Sequence, residues 1–148
     1  MTDYTSCEMP DSNPLDEETK DLLEQAKTIA IVGLSDKEER DSNMVARYLK
    51  EQGYQVIPVN PTQDSILGEK SYKNLKEIPV HVDIVDIFRK IEVLPSVVDE
   101  AIAINAGAVW MQRGLAHHVS AEKARKAGLK VVQSKCIKVE HKKLFKQK

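Results

Sequence analysis

The sequence Thr28-Ile-Ala-Ile-Val-Gly33 decides the fold. A short run of β-branched residues that ends in glycine is typical of a fully buried parallel strand. A polar loop follows this run, and apolar residues at helical spacing then predict a helix from about Ser42 to Gln52. A strand, a loop and a helix in this order predict the first half of a βαβ unit.

The same alternation continues along the chain. Four further apolar runs predict strands at Gln55–Val59, Val82–Ile87, Ala108–Met111 and Leu129–Val132. Helical patterns are predicted for the segment from Leu15 to Ala26, a short turn between Tyr72 and Ile78, a segment from about Pro95 to Gly107, and Ser120–Ala127 with Ser120 as its cap. These connections favour right-handed crossovers. We therefore expect an α/β fold, doubly wound and Rossmann-like, in which a mostly parallel five-stranded sheet has helices on both faces.

The chain of 148 residues is long enough for one domain. Residues 1–14 are expected to form a flexible leader and residues 15–148 a single domain. The net charge of −1 argues against a nucleic-acid binder. The sequence has neither an apolar run of the ~20 residues that a membrane span needs nor a signal peptide, so a cytoplasmic setting is expected. Cys7 and Cys136 are too far apart for a metal cluster or a disulfide framework.

The charges are unevenly distributed. Residues 1–25 contain eight acidic and one basic side chain, whereas residues 121–148 contain ten basic and two acidic ones. Two solvated ends of opposite charge explain this pattern most simply. The alternative is a basic C-terminal segment that helps to hold an anionic ligand or partner.

Small, polar or cationic residues follow every predicted strand. They are Gly33 and Ser35 after the first, Asn60 and Pro61 after the second, Phe88 and Arg89 after the third, Gln112, Arg113 and Gly114 after the fourth, and Ser134, Lys135 and Cys136 after the fifth. In doubly wound folds, ligands bind outside the carboxyl ends of the strands where the strand order reverses. The sequence therefore predicts a binding site at this edge.

The first of these loops is suited to an anion because it leads into a helix N-terminus. Gly33 permits close backbone approach, Ser35 and Ser42 supply hydroxyl donors, and Arg40 adds a cation. A phosphate fits this combination. No further glycine follows until Gly53, so the dinucleotide fingerprint is missing.

Two further motifs of phosphate-ligand sites are missing from the sequence. Asn60 stands where an acidic residue would bind the ribose of NAD, so NAD is disfavoured. The sequence also lacks the Gly-Lys-Ser/Thr of a P-loop.

Several motifs together resemble the small stand-alone CoA-binding proteins. They are Ile29–Ser35, Arg40–Ser42, Val45–Leu49, Gly53-Tyr54, Val56–Pro61, Gly68, Ile78-Pro79, Val82–Arg89, Val109–Gln112, Gly114 and Cys136–His141. This family is similar to the nucleotide-binding domain of the succinyl-CoA synthetase α subunit. The resemblance implies a Rossmann-like domain that binds coenzyme A, with phosphates at the first loop and adenine near the end of the second strand. It also implies that the pantetheine arm passes the ends of the third and fourth strands.

The resemblance assigns roles to individual positions. Phosphate contacts are expected from Gly33, Ser35, Arg40 and Ser42, nucleoside contacts from Asn60 and Pro61, and further lining from Phe88, Arg89, Gln112 and Gly114. Three residues depart from the family pattern, namely Asp41, Asn43 and Arg113.

Cys136 is the one candidate nucleophile, because Lys135 and Lys138 would favour its thiolate. Such a thiol could form a mixed disulfide with CoA or accept an acyl group. No metal site is expected. The adjacent pair His117-His118 is predicted to lie in a solvated loop. Trp110 is predicted to belong to the core or to a subunit contact.

Asp86 is not expected to pair with Asp83, because the two residues lie on opposite faces of one strand. Its expected partner is either the ligand or Arg89.

The expected function is that of a small module that binds CoA or an acyl-CoA, and not of a complete enzyme. The resembled ligase subunit needs a further domain with a phosphorylatable histidine, for which 148 residues leave no room. Neither nucleic acid nor membrane is an expected partner, and a homo-oligomer or a partner enzyme is left open. The alternatives are an enzyme of acyl or thiol exchange that uses Cys136, an NAD-dependent oxidoreductase, and a regulatory domain with a vestigial site.

Overall fold

The computed structural model describes residues 13–146. Its elements are α1 (Asp16–Gln25), β1 (Thr28–Val32), α2 (Asp41–Glu51), β2 (Gln55–Val59), β3 (Ser65–Ile66), β4 (Glu69–Lys70), a 3₁₀ turn (Leu75–Glu77), β5 (Ile84–Ile87), α3 (Leu94–Ala103), β6 (Ala108–Met111), α4 (His118–Lys126), β7 (Lys130–Val132) and α5 (Ile137–Leu144). The five predicted strands are all present. The short hairpin of β3 and β4 was not predicted, because two residues per strand leave no periodic pattern.

The main sheet has five parallel strands in the order β2-β1-β5-β6-β7. The chain first moves outward from β1 to β2 and then returns to the other side of β1 to form β5. The strand order therefore reverses between β1 and β5, which is the position where doubly wound folds bind ligands. This arrangement confirms the predicted α/β, Rossmann-like fold.

Helices cover both faces of the sheet, as predicted. In β1, Ile29 and Ile31 face the layer formed by α1, α2 and α5, whereas Ala30 and Val32 face the layer that contains α3 and α4. Trp110 is fully buried in the first of these layers, and its Nε1 donates to the Lys135 carbonyl oxygen at 2.7 Å. The prediction that Trp110 belongs to the core is confirmed.

The position of β2 at the sheet edge accounts for Pro58. Its carbonyl oxygen accepts from the Tyr72 N–H at 3.0 Å, on the side away from β1. The N–H and C=O of one strand residue point to the same side, so the N–H that proline lacks would not have bonded to β1.

The N-terminus of α4 differs from the prediction. The helix begins at His118, and its cap is His117, whose Nδ1 accepts from the Ser120 N–H at 3.2 Å. His117 is buried rather than placed in a solvated loop. Ser120 was predicted as the cap because serine is a common N-cap residue, whereas an imidazole in that role has no sequence signature.

Both ends of the described chain are attached to the domain. The Asn13 side chain donates to the Gln133 carbonyl oxygen at 2.9 Å and accepts from the Gln133 N–H at 2.7 Å. The basic C-terminal segment forms α5, which packs against α1 and α2. Residues 1–12, the greater part of the expected leader, lie outside the described residues. Among the helices of residues 13–146, none is long and apolar enough to cross a membrane.

Candidate functional site

The ends of three neighbouring strands, β1, β2 and β5, lie side by side around Gly33. Its N–H donates to the Val59 carbonyl oxygen at 2.9 Å, and the Phe88 N–H donates to the Val32 carbonyl oxygen at 2.8 Å. Gly33 has φ +90°, and a β-carbon on it would collide with the Phe88 carbonyl oxygen. Glycine at position 33 thus allows the Phe88 backbone to lie close to it. The expected close approach of an anion to Gly33 stays a prediction.

The loop after β1 is held in shape by the first turn of α2. The Ser35 N–H donates to Ser42 Oγ at 3.0 Å, and Asn43 Nδ2 donates to the Ser35 carbonyl oxygen at 2.8 Å. Ser35 Oγ in turn accepts from the Lys37 N–H at 3.1 Å. The buried Ser42 hydroxyl therefore supports the loop, and it retains its own hydrogen for donation.

Asn43 and Arg47 extend this network to the far side of the loop. Arg47 Nε donates to Asn43 Oδ1 at 2.9 Å, and its Nη2 donates to the Glu38 carbonyl oxygen at 2.8 Å. Asn43 is almost fully buried. In the sequence, Asn43 was noted only as a departure from the family pattern. Its position directly after Ser42 was the one indication that it supports the loop.

A cavity of about 330 Å³ lies in this loop. Its walls contain all four residues expected at the phosphates, together with Lys37, Asp41 and Phe88; the four are Gly33, Ser35, Arg40 and Ser42. Arg40 precedes α2 in an extended conformation, and its side chain does not cap the helix. The start of α2 and the exposed Arg40 therefore both face a space that suits an anion.

A larger cavity of about 650 Å³ continues from the first along the ends of β5 and β6. The two cavities share Asp41 and Phe88 in their walls. The larger one is also lined by Met44, Val45, Arg89, Lys90, Gln112, Arg113, Gly114, Leu115, Cys136 and Lys138. The structure thus brings together eight of the ten predicted binding residues.

The combined cavity is strongly electropositive. Six cationic side chains line it against one carboxylate, Asp41; they are Lys37, Arg40, Arg89, Lys90, Arg113 and Lys138. Within residues 13–146, none of the six forms an ion pair. Because the whole chain has a net charge of only −1, this concentration is local and favours an anionic ligand.

Gln112 and Gly114 shape the far wall of the larger cavity. The buried Gln112 accepts from the Ile137 N–H through Oε1 at 3.1 Å, which fixes the start of α5. The Gly114 N–H donates to Ser134 Oγ at 3.1 Å. These bonds tie the loop after β6 to the loop after β7.

Asn60 and Pro61 line neither of these cavities. Asn60 Nδ2 donates to the Leu34 carbonyl oxygen at 2.9 Å, and its Oδ1 accepts from the Thr62 N–H at 2.9 Å. Asn60 therefore links the end of β2 to the first loop, and Pro61 is exposed beside it. Their expected contacts with a nucleoside stay predictions.

Cys136 is a partly buried free thiol that immediately precedes α5 and lines the larger cavity. The two lysines expected to favour its thiolate have other contacts, and so does the nearby His141 of α5. Lys135 Nζ lies 3.8 Å from Glu140 Oε1, Lys138 Nζ lies 5.8 Å from the centroid of the Tyr48 ring, and His141 Nδ1 lies 2.6 Å from the Tyr48 hydroxyl oxygen. Among the described residues, no three His, Cys, Asp or Glu side chains are grouped to hold a metal ion.

Asp86 is fully buried in β5 between Ile31 of β1 and Trp110 of β6. Neither carboxylate oxygen has a hydrogen-bond partner in the described part of the chain, so the expected pairing with Arg89 is not present. Burial raises the pKa of Asp86 well above its ordinary value. Its burial, on the face of the sheet covered by α2 and α5, favours the neutral form of the carboxyl group.

Comparison with known proteins identifies the family. Residues 27–142 match the model of a CoA-binding domain. The chain belongs to this CoA-binding domain family. The uncharacterized protein YneT of Bacillus subtilis (strain 168) is 43% identical over 129 residues, which cover 87% of this chain and 96% of YneT.

The chain is also similar to a protein of known structure and to part of a larger enzyme. A hypothetical protein from Pyrococcus horikoshii OT3 superposes with a TM-score of 0.85 and 38% identity, covering 92% of this chain and 99% of that one. The ADP-forming acetate–CoA ligase of Methanocaldococcus jannaschii is 25% identical over 119 residues, which represent 75% of this chain but only 17% of the ligase. The chain is thus related to one part of that enzyme.

Proposed function

We propose that this CoA-binding domain protein binds coenzyme A, free or acylated, in the combined cavity at the ends of β1, β5 and β6. The observation that carries the proposal is the set of six cationic side chains, none of which forms an ion pair within residues 13–146, along two contiguous cavities of about 330 and 650 Å³. Coenzyme A carries a diphosphate and a ribose phosphate, so it supplies the negative charge that such a site favours.

The smaller cavity suits the phosphates. Its walls combine the first turn of α2, the Ser35 and Ser42 hydroxyls and the Arg40 guanidinium. Backbone N–H groups and the helix dipole favour negative charge at such a position. Asn43 and Arg47 hold the loop through bonds within the protein, which reduces the ordering that ligand binding requires.

The larger cavity suits the pantetheine arm. It has apolar wall residues, among them Met44, Val45, Phe88 and Leu115, beside polar groups at Gln112 and Gly114. A pantetheine arm alternates methylene groups with amides, and ligand sites of this kind combine apolar walls with a few polar contacts. In this arrangement the thiol end of the ligand lies toward Cys136 and Lys138.

We infer a binding module and not a complete enzyme. The chain corresponds to 17% of the acetate–CoA ligase that it matches, so the chemistry of that enzyme is not transferred to it. Within this proposal, the protein acts in the cytoplasm and presents CoA or acyl-CoA to a second copy of itself or to a partner enzyme.

The proposal is tested by calorimetric titration of the purified protein with CoA, acetyl-CoA, dephospho-CoA and NAD. We expect CoA to bind at micromolar concentration, dephospho-CoA about tenfold more weakly, and NAD more weakly still. No binding of CoA, or tighter binding of NAD, would overturn the proposal.

Arg40→Ala is the matched test of the phosphate site. We expect it to weaken CoA binding by about tenfold, because a cation–phosphate contact contributes roughly 1.5–3 kcal/mol. The control is Arg125→Ala on α4, which packs on the other face of the sheet. The control should bind CoA as the unaltered protein does.

A second candidate function is thiol exchange at Cys136, because this thiol lines the larger cavity. The Cys136 thiolate would attack one sulfur of CoA disulfide. The S–S bond breaks, a mixed disulfide between Cys136 and CoA forms, and the other CoA leaves as the thiolate. Incubation of a Cys7→Ser variant with CoA disulfide should then add one CoA mass to the protein, and none when Cys136→Ala is introduced as well. An unmodified Cys136 would exclude this chemistry.

A further inference from the structure

A third cavity of about 420 Å³ opens beside the larger one on the outer surface of α2 and α5. The two cavities share Met44 and Lys138 in their walls. The remaining wall residues of the third cavity are Arg47, Tyr48, Glu51, Gln52 and Lys142. A ligand that reaches the Cys136 end of the larger cavity can therefore extend past Met44 into this space.

Two lysines lie over one aromatic ring in this third cavity. Lys142 Nζ is 5.5 Å and Lys138 Nζ is 5.8 Å from the centroid of the Tyr48 ring. In residues 13–146, neither ammonium group is paired with a carboxylate. The ring attracts both cations without neutralising them, so a positive field remains that an anion would relieve.

The Tyr48 ring is itself fixed in place. Its hydroxyl is 2.6 Å from His141 Nδ1, and the two rings meet edge to face. Arg47 donates to Asn43 Oδ1 and to the Glu38 carbonyl oxygen, which hold its guanidinium against the first loop. Both acceptors are neutral, so the charge of Arg47 adds to the positive field of the two lysines. Glu51 is the one carboxylate in the cavity wall.

We propose that the third cavity binds the free carboxylate of a dicarboxylic acyl group carried on CoA. This inference rests on the proposed function, because the thioester must lie at the Cys136 end of the larger cavity for the acyl chain to pass Met44. The lysines then bind an anion that neither CoA itself nor a simple fatty acyl-CoA carries at this position. The ligand class is an acyl-CoA with a carboxylate at the far end of a short chain.

The test compares glutaryl-CoA with valeryl-CoA, which has the same chain length and a methyl group in place of the carboxylate. Calorimetry should give about five-fold tighter binding of glutaryl-CoA, a difference expected for one partly exposed ion pair. Lys142→Gln should abolish this preference and leave the affinity for CoA unchanged within about two-fold. Lys126→Gln on α4 is the matched control and should retain the preference.

Three outcomes would overturn the inference. Equal affinities of the unaltered protein for the two thioesters would remove the subsite while leaving CoA binding in place. If Lys142→Gln weakened CoA as much as glutaryl-CoA, the lysines would bind a phosphate of the cofactor instead. Binding of neither CoA nor either thioester would refute the proposed function and the subsite together.

Discussion

The carbonyl oxygen of Phe88 occupies the space in which a β-carbon on Gly33 would lie. This contact closes the gap between the ends of β1 and β5, where the strand order reverses. Both cavities of the candidate binding site meet beside Phe88. The absence of a side chain at position 33 thus helps to set the shape of the loop after β1 and of the cavities beside it.

Gly33→Ala should therefore be strongly destabilising. The left-handed backbone at position 33 costs about 1–2 kcal/mol for alanine, and the collision with Phe88 adds on the order of 1–3 kcal/mol. Gly128→Ala is the control, because Gly128 has a similar φ of +94° and nothing within 4 Å of its added β-carbon. Chemical denaturation should show a clearly larger loss for Gly33→Ala. Equal losses of unfolding free energy in the two variants would mean that the collision with the Phe88 carbonyl oxygen does not destabilise the protein.

Asn43→Ala should lower both the stability of the protein and its affinity for CoA. The substitution removes both the bond to the Ser35 carbonyl and the acceptor for Arg47, so the loop loses its support. We expect a loss of about 1–3 kcal/mol in unfolding free energy and about tenfold in CoA affinity.

The control for Asn43→Ala is Asn74→Ala, because Asn74 caps the 3₁₀ turn through a bond to the Glu77 N–H. This variant should lose stability while retaining the affinity for CoA. The affinities of both variants are measured at a temperature at which each is fully folded. Unchanged CoA affinity in Asn43→Ala would refute the loop-supporting role.

Asp86 should make the protein less stable as the pH rises. Burial raises the pKa of its carboxyl group in the folded state, whereas the unfolded chain ionises near pH 4. The protonated Asp86 side chain therefore makes its full contribution to the free energy of unfolding below the pKa of the unfolded chain. This contribution is lost as the pH rises toward the pKa of the folded protein. Each pH unit in this window costs about 1.4 kcal/mol.

Asp86→Asn has nearly the same volume and cannot ionise. The unfolding free energy of this variant should exceed that of the unaltered protein by an amount that grows between pH 5 and pH 8. Urea denaturation at three pH values measures this difference. A constant difference across the range would show that Asp86 is already ionised in the folded protein.

Much of the fold was predictable because periodic patterns report burial directly. The run Thr28–Val32 is buried along its whole length, as a central parallel strand must be. Gly33 and the residues after β5 and β6 were predictable for a topological reason, since all parallel strands end at one edge of the sheet. Neither inference required knowledge of side-chain contacts.

The remaining features depend on contacts between segments that the sequence does not place side by side. The bonds of Asn43 to Ser35 and Arg47 require the loop to fold back on α2. The Tyr48–His141 contact joins α2 to α5 across 93 positions. The basic end of the chain showed no marked apolar pattern, so its formation of α5 follows from packing against α1 and α2.

The most direct test of the CoA site is an NMR titration of the isotopically labelled protein with CoA. Backbone amides of residues 33–42, 88–90, 112–115 and 136–138 should shift on binding. Amides around a separate cavity of about 520 Å³, lined in part by Asp21, Arg125 and Lys130, should remain unchanged. Shifts confined to the separate cavity of about 520 Å³ would contradict the assignment of the site, and so would the absence of any shift at saturating CoA.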